Sequence, residues 1–561
     1  MNMKKIILGL FITVLLFNTG CKDLLDINDD PYAVKTINPT SILSSLEWAT
    51  GDFFAGGYYL NSNFGSFVQY LSSRELNNYS LSASTASLGN TWDNAYVGIL
   101  NNCDQLILTA KEDNQYIVHG AIAKAIKGYI FMMMTDLWGD VPFTQFNVAD
   151  ITKPAADKSD VVYNGALELF KQAKTEFENA KKAKNALDPK SKDLFYEGNI
   201  DKWIKAVNTF ELKLLVQSRK TKDKITNWQS TLTALLNENN FIDNNEDFQF
   251  PHSSAKSPQD ERNYNFVDEY EGGQKTFYIC PWIFEIMSGY TYNAKNNPFS
   301  GISDPRIPYY WVNQLKANEE AENKTDYRCG AFVSIIPASN SGFDASNQDA
   351  SMTCIGIYPV GGKYDDGKGG AVKGKGTGIA PDKIMQAYSV PFMKAELILT
   401  GNATGDAAAE LKKGIRASIF HVNAVSQAAK GSQTVPALIV DSTVKFQDAI
   451  IARFNAAANN DKKLEIVMTQ KWIANYFNTY EAYTDLRRTG YPVTFKGEGA
   501  IAFSPNGHTT ELSAGPVEIP LAVYRVMPRI LYYPIREVET NPNIRNTRNI
   551  TLYGSVFWDV Q

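Results

Sequence analysis

Two short stretches of the sequence combine tyrosine rings with amide side chains. Residues 77–79 read Asn-Asn-Tyr, and residues 290–293 read Tyr-Thr-Tyr-Asn. An aromatic ring offers a flat apolar face, and an amide both donates and accepts hydrogen bonds. Together these groups suit a ligand with apolar C–H faces and hydroxyl groups, as a sugar ring has. Another aromatic lies in the same tyrosine-rich part of the chain, so the candidate ligand-binding residues are Asn77, Asn78, Tyr79, Tyr290, Tyr292 and Trp311.

The same residue types also have other uses. For any single aromatic residue, packing of an irregular loop onto the scaffold is the commoner role. A peptide could also be bound, because its main chain and side chains hydrogen-bond to amides equally well. The sequence therefore leaves oligosaccharide and peptide ligands open. By contrast, Trp92, Trp203 and Trp472 lie on helical apolar stripes and are predicted to be core residues.

Motifs for catalysis and for tightly bound cofactors are missing or incomplete. Residues 369–376 approach a phosphate-binding loop, but Gly376 stands where a Ser or Thr should bind magnesium. The sequence contains neither Gly-x-Ser-x-Gly nor His-Glu-x-x-His, and its four histidines are too scattered to predict a zinc site. We therefore expect no cofactor and no enzymatic activity. A surface hydrolase is the less favoured alternative, because the two carboxylates of a glycosidase are defined by their separation in space.

Two smaller features leave alternatives open. Asp365 and Asp366 could offer oxygen ligands to calcium, although the spacing of a twelve-residue calcium loop is absent. Cys329 and Cys354 lie in loop-like sequence and could form a disulfide or remain as buried thiols.

The first twenty residues carry the features of a bacterial lipoprotein signal. Two lysines precede an apolar run over residues 6–17, which is shorter than the roughly 20 residues that a membrane-spanning helix needs. Two small residues then precede Cys21, as a lipoprotein signal peptidase requires. We predict that residues 1–20 are removed and that the acylated Cys21 anchors the mature protein, because several acyl chains hold a protein firmly. Residues 21–37 would form the lipid anchor and tether.

The charge of the chain argues against a nucleic-acid partner. Loss of the two signal lysines would change the formal net charge from −5 to −5 − 2 = −7. A mildly acidic chain supports solubility and lacks the basic footprint that phosphate backbones require. No later stretch approaches 18 consecutive apolar residues, so we expect no transmembrane helix and the lipid as the contact with the membrane.

Apolar periodicity divides the rest of the chain into helix-rich and loop-rich parts. Apolar residues recur at intervals of three and four over residues 90–240 and again over 390–490, as on helices that face a core. Residues from about 248 to 380 are rich in Asn, Gly, Ser and Pro and keep no period, which indicates long ordered loops. We therefore predict a mostly α-helical fold of helical hairpins, with a helical domain over residues 38–561 that is long enough for more than one lobe.

Four landmarks are spread over nearly the whole mature chain. They are residues 21–31, residues 135–143 (Thr-Asp-Leu-Trp-Gly-Asp-Val-Pro-Phe), residues 480–492 with the string Leu-Arg-Arg-Thr-Gly-Tyr-Pro, and residues 529–534 (Arg-Ile-Leu-Tyr-Tyr-Pro). In this order they resemble the SusD/RagB group of nutrient-binding outer-membrane lipoproteins of Bacteroidetes. The resemblance implies tetratricopeptide-like helix pairs as a scaffold and a loop-rich face that carries the ligand site.

The resemblance also implies a function. It points to a non-catalytic receptor at the cell surface, anchored by lipid in the outer membrane, that captures oligosaccharide nutrients. Such a receptor would dock on a TonB-dependent, SusC-like outer-membrane transporter and deliver its ligand there. A peptide-binding receptor of the same type is the alternative.

The landmark residues themselves are expected to belong to the scaffold. Arg487 and Arg488 end a helix before Gly490, where cations interact favourably with the helix dipole. We expect them to form buried ion pairs with Asp485 or Glu481, because arginine beside a carboxylate is a common architectural clamp. The two acids of the Asp-Leu-Trp-Gly-Asp landmark likewise fit a helix exit better than a catalytic pair.

Overall fold

The fold is mostly α-helical, as predicted. The computed structural model describes residues 38–55, 60, 62–73, 88–272, 277–322, 327–337, 349–438, 440–494, 500–503, 517–520, 527–545 and 556–560. The predicted signal peptide, Cys21 and the tether lie outside these residues, and so do Asn77, Asn78 and Tyr79.

Paired helices occupy the first part of the described chain. Successive helices from α4 to α7 pack against one another, and α1 packs on α4 and α5. These helices are α1 (Pro39–Ala55), α2 (Ser62–Phe67), α3 (Gly89–Asp93), α4 (Asn101–Glu112), α5 (Ile117–Trp138), α6 (Ser159–Ala180), α7 (Ile200–Gln217) and α8 (Trp228–Glu238), with a π-helical turn at Asn94–Leu100 between α3 and α4.

Helix α5 is the central element of this part. Nearly all of its residues are buried, so it must be enclosed by other helices. Its neighbours supply amphipathic stripes: Phe170 and Phe177 of α6 are fully buried, and so is Trp203 of α7. By length and composition the segment Asn114–Trp138 could cross a membrane, but 89% of its most apolar window is buried inside the protein. It is therefore a core helix.

Short elements fill residues 248–380. The helices there are α9 (Tyr264–Glu271), α10 (Pro281–Ser288), α11 (Ile307–Tyr310) and α12 (Ile357–Val360). The strands of the described chain are β1 (Leu71–Ser73), β2 (Phe248–Phe250), β3 (Phe277–Ile279), β4 (Trp311–Val312), β5 (Tyr327–Cys329), β6 (Phe332–Ser334), β7 (Cys354–Ile355), β8 (Asp382–Met385), β9 (Ala500–Phe503) and β10 (Val517–Pro520). They form two-stranded antiparallel ladders, β1 with β3, β2 with β8, β4 with β7, β5 with β6 and β9 with β10.

A second set of helices follows and packs on the first. It consists of α13 (Ser389–Leu399), α14 (Ala407–Ala429), α15 (Val440–Ala456), α16 (Asn460–Ala474), α17 (Thr479–Thr489) and α18 (Ile535–Thr540). Helix α13 contacts α14, α16 and α7, which joins the two sets. The predicted break at Gly490 is confirmed, because this residue ends α17 with a φ of +79°.

Buried aromatic and charged side chains tie distant parts of the scaffold together. The predicted core residues Trp92, Trp203 and Trp472 are at most 3% exposed, which confirms their role. The scaffold role of the two landmark arginines is also confirmed. Arg488 pairs with Asp485 as expected, whereas Arg487 pairs with Asp559 near the end of the chain.

Two further acids of these landmarks, Glu481 and Asp136, are structural as well. Glu481 pairs with Lys213 instead of an arginine, and both side chains are fully buried. Asp136 is buried and accepts hydrogen bonds from the Tyr480 hydroxyl at 2.6 Å and the Trp558 indole N–H at 2.8 Å. These acids therefore stabilise the packing of helices and do not face solvent.

Candidate ligand-binding site

The candidate site is the loop that follows helix α10. Gly289 ends the helix with a φ of +73°, a conformation that favours glycine. A Cβ atom there would lie 2.7 Å from the backbone of Ile302, so no other residue fits without displacement of the chain. The loop thus leaves the helix sharply and carries Tyr290 and Tyr292 away from it.

Two buried polar side chains fix the path of this loop. Both oxygens of the Glu285 carboxylate accept hydrogen bonds, from the Asn293 side chain at 2.6 Å and from the Asn293 and Ala294 backbone amides at 2.8 and 2.9 Å. The Asn297 side chain donates to the backbone oxygens of Glu285 at 3.1 Å and Tyr290 at 2.9 Å. Because buried polar groups are costly unless satisfied, this network holds the loop in one conformation.

Tyr290 and Tyr292 are brought together by this loop. Their ring centroids are 5.1 Å apart with an interplanar angle of 47°. Tyr290 is 38% exposed and Tyr292 is half-buried. Phe284 of α10 supports Tyr290 from below, with ring centroids 5.8 Å apart. The result is a partly exposed aromatic surface on a rigid base.

Trp311 does not belong to this exposed surface, contrary to the sequence-based expectation. It is 1% exposed and packs beneath Phe284 and Phe332, with ring centroids 6.0 Å from each. Its strand β4 pairs with β7, which places Trp311 opposite Ile355. Covered in this way, the indole supports the loop and has no free face for a ligand.

The tyrosine hydroxyls of the site are neutral hydrogen-bonding groups. Partial burial, with the nearby Cys329 thiol as a smaller cause, raises the pKa of Tyr290 and of Tyr292 above the usual value for tyrosine. Each hydroxyl can therefore both donate to and accept from a ligand at neutral pH.

A small cavity of about 90 Å³ lies beside the loop. It is lined by the amide-rich stretch of residues 293–298 and by Trp282, Ile286, Glu465, Thr469, Pro492 and Val493. Asn296 is exposed here, and Asn293 is half-buried. Partly exposed aromatic rings and the exposed amide of Asn296 thus occur on one continuous loop.

Glu285 and Asn297 were missed by sequence reasoning. Neither residue is aromatic or part of a motif. Their partners are backbone groups and, for Glu285, also the side chains of Asn293 and Tyr327, which only the folded chain brings near. The sequence marked Asn293 as an amide next to Tyr292, but in the structure its side chain donates a hydrogen bond to Glu285. Sequence composition identified the exposed rings and not the residues that position them.

Other features of the sequence have ordinary structural roles. The glycine-rich residues 369–376 lead to strand β8 and not to a helix, and the Gly370 amide donates to the Gln314 carbonyl at 2.6 Å. Asp365 accepts a hydrogen bond from Asn313 at 2.8 Å. Within the part of the chain that the structure describes, no group of three or more His, Cys, Asp or Glu residues could hold a metal ion. Cys329 and Cys354 lie in separate ladders and form no disulfide with each other.

Comparison with known proteins identifies the family of this scaffold. Residues 31–505 match the SusD-like family whose description is "starch-binding associating with outer membrane". No curated protein sequence matches the chain. The fold resembles that of many solved proteins.

Three solved structures illustrate the likeness. A chitin-binding protein is 22% identical and aligns over 93% of this chain and 100% of its own, with a TM-score of 0.66. A SusD homolog from Bacteroides fragilis is 16% identical over 93% of this chain and 99% of its own, with a TM-score of 0.66. A chitin-binding SusD homolog from Flavobacterium johnsoniae is 18% identical over 93% of this chain and 97% of its own, with a TM-score of 0.60. Because the family match covers most of the sequence, the chain belongs to the SusD/RagB family of SusD-like proteins.

Proposed function

We propose that this protein is a non-catalytic cell-surface receptor that captures oligosaccharides on the loop after α10. The observation that carries the proposal is the partly exposed pair Tyr290 and Tyr292, held 5.1 Å apart beside an amide-rich loop. The rings would stack on the apolar faces of sugar residues, while the exposed Asn296 amide and the tyrosine hydroxyls would bond to sugar hydroxyls. The family description and the chitin-binding structural relatives support a glycan ligand.

The carboxylates near the loop support binding without catalysis. Glu285 already accepts hydrogen bonds from three groups of residues 293–294 and from the Tyr327 hydroxyl at 3.1 Å, so it is committed to structure. Glu465 is the single acid among the described residues that line the small cavity, and it pairs with Lys462. Glycoside hydrolysis commonly needs two carboxylates that flank the scissile bond. The loop therefore fits a receptor better than a hydrolase.

The ligand class can be tested directly. We expect the purified protein to bind a subset of neutral oligosaccharides on a glycan array and to ignore a matched peptide library. Binding to peptides alone would support the alternative, a peptide receptor of the same type. Release of shorter products from the bound oligosaccharide would contradict the non-catalytic assignment.

The proposal includes delivery to a transporter in the outer membrane. A receptor held at the membrane by an acylated Cys21 needs a channel for its ligand, and we infer a TonB-dependent, SusC-like transporter as that partner. The family description supports association with the outer membrane. Purification from native membranes in mild detergent should recover such a transporter with the protein. Its absence from repeated preparations would contradict the partnership.

A further inference from the structure

Trp48 stands apart from the other tryptophans of this protein. The chain has nine tryptophans, and eight of them are at most 9% exposed. Trp48, on helix α1, is 46% exposed. An exposed indole forgoes a large gain in hydrophobic burial, and tryptophan is enriched at binding hot spots. The exposed Trp48 ring is therefore a candidate contact for a ligand.

Trp48 lines a cleft of about 660 Å³ that is separate from the Tyr290 loop. Helix α1 contributes Trp48 and Asp52, and the end of β2 contributes residues 250–253. The rest of the lining consists of Leu194, Asp260, Glu261, Arg262, Tyr264 and Val267. None of these residues lines the small cavity beside the Tyr290 loop. The volume falls in the range of roughly 300 to 1,000 Å³ that is typical of small-molecule sites.

The aromatic part of the cleft is built on a packed base. Trp48 meets the edge of Phe250 with ring centroids 6.2 Å apart and an interplanar angle of 82°. Gly51 permits this contact, because a Cβ atom there would lie 2.3 Å from the Phe250 ring. Tyr264, at the first position of α9, adds a second ring that is 45% exposed. Two exposed aromatic rings thus line one cleft.

The polar groups of the cleft are mainly acceptors. Arg262 is engaged by Asp260 and Glu271, with distances of 2.6 to 2.9 Å. His252 is engaged by Asp382 and by the Glu261 carbonyl. The lining also carries the carboxylates of the exposed residues Asp52 and Glu261. One oxygen of each accepts a hydrogen bond within the protein, from Asn94 at 3.4 Å and from the Ser253 hydroxyl at 2.6 Å, and the other oxygen can accept from a ligand. A ligand would therefore donate hydrogen bonds to the cleft and present apolar faces to its rings.

We propose that this cleft is a second saccharide-binding site, which takes a neutral oligosaccharide stacked on Trp48 and Tyr264. Sugar hydroxyls donate to carboxylates, and C–H faces cover aromatic rings. A site of this kind would let one receptor hold a glycan chain at two places, or hold two chains. Linked sites raise overall avidity without new contacts at either one.

The test uses fluorine NMR of the folded protein labelled with fluorotryptophan. The Trp48 resonance is assigned with the Trp48→Phe variant. The labelled protein also carries Tyr290→Ala and Tyr292→Ala, so that binding at the first loop is removed. The probes are neutral hexasaccharides of glucose, xylose, mannose and N-acetylglucosamine. We expect at least one probe to shift the Trp48 resonance saturably.

Variants identify the residues responsible. Trp48→Ala and Tyr264→Ala, followed by calorimetry with the same hexasaccharide, should each weaken binding by about thirtyfold, as loss of a stacking hot spot does. Phe420→Ala is the matched control, because this ring is 41% exposed elsewhere on the surface, and it should bind normally. Melting curves show whether each variant is folded. If Trp48→Ala melts early, Trp48→Phe replaces it, and this variant should retain most of the affinity because it keeps an aromatic ring.

Two results would overturn the proposal. One is a Trp48 resonance that none of the hexasaccharides shifts. The other is a shift produced only by a cationic probe such as hexalysine and lost at high salt, which would make the cleft a cation site. Because the Tyr290 loop is disabled throughout, either result leaves the function proposed above untouched.

Discussion

Arg488 binds both carboxylate oxygens of Glu396, from Nε to Oε1 at 2.8 Å and from Nη2 to Oε2 at 2.7 Å. Neither side chain has exposed surface. The Nε of Arg219 donates to the same Oε1 at 2.8 Å, so one carboxylate joins α17, α13 and the turn after α7. This pairing explains why the Leu-Arg-Arg landmark belongs to the scaffold.

We predict that Glu396→Gln strongly destabilises the fold. The substitution leaves the buried Arg219 without its carboxylate and leaves Arg488 with Asp485 alone, and breaking a buried ion pair costs about 3 to 5 kcal/mol. Urea unfolding of the variant measures the change. Asp448→Asn is the control, because its pair with Lys412 is exposed, and we expect a change of at most about 1 kcal/mol. Equal effects of the two substitutions would contradict the role of Glu396.

The same carboxylate predicts a pH dependence of stability. Burial opposes the ionisation of Glu396, but Arg488 and Arg219 outweigh it and lower its pKa from 4.5 to about 2. A lowered folded-state pKa stabilises the protein fully above the unfolded value, and this stabilisation is lost as the pH falls from 4.5 towards 2. Melting temperatures of the wild type and Glu396→Gln should therefore converge over that range. A difference that stays constant would contradict the prediction.

Core and site aromatics should respond differently to truncation. Trp203 is fully buried, and its indole donates to Asp193 at 2.7 Å. Trp203→Ala should cost about 3 to 5 kcal/mol through cavity formation. Tyr290→Ala removes a partly exposed ring and should change the free energy of unfolding by about 1 kcal/mol or less. Denaturant unfolding of both variants checks this, and early unfolding of Tyr290→Ala would assign that ring to the core.

The predicted lipid anchor at Cys21 can be tested separately. Cys21 lies outside the described part of the chain, and the signal sequence before it predicts its acylation. Mass spectrometry of protein from outer membranes should find an acylated Cys21 as the first residue. Cys21→Ala should abolish both acylation and membrane association. An intact or unacylated N-terminus on the membrane-bound protein would contradict the signal.

Local sequence patterns predicted the helical scaffold well because their partners are close along the chain. The core positions of Trp203 and Phe210 follow from spacing on one helix, and the Arg488 pair with Asp485 spans one helical turn. The partner of Arg488 that explains its burial is Glu396, 92 residues away, and no local pattern indicates it. The sequence therefore predicted the pair of Arg488 with Asp485 but not its pair with Glu396.

The candidate site was predictable in part for a similar reason. Aromatic and amide composition marked Tyr290 and Tyr292, which the structure places together. It also marked Trp311, although Phe332, from another ladder, covers that ring. In short elements without periodicity, the sequence does not show which aromatic side chain is buried, because tertiary contacts determine the burial.

The most direct test of the proposed function is calorimetry on the Tyr290 loop. Protein with Trp48→Ala, in which the second cleft is disabled, is titrated with the oligosaccharide that binds best on the array. Tyr290→Ala and Tyr292→Ala are then each introduced into the Trp48→Ala protein, and Phe420→Ala in the same protein is the matched control. We predict that each tyrosine substitution weakens affinity by about thirtyfold while the melting temperature and the control stay unchanged. Normal binding by both tyrosine variants would contradict the account.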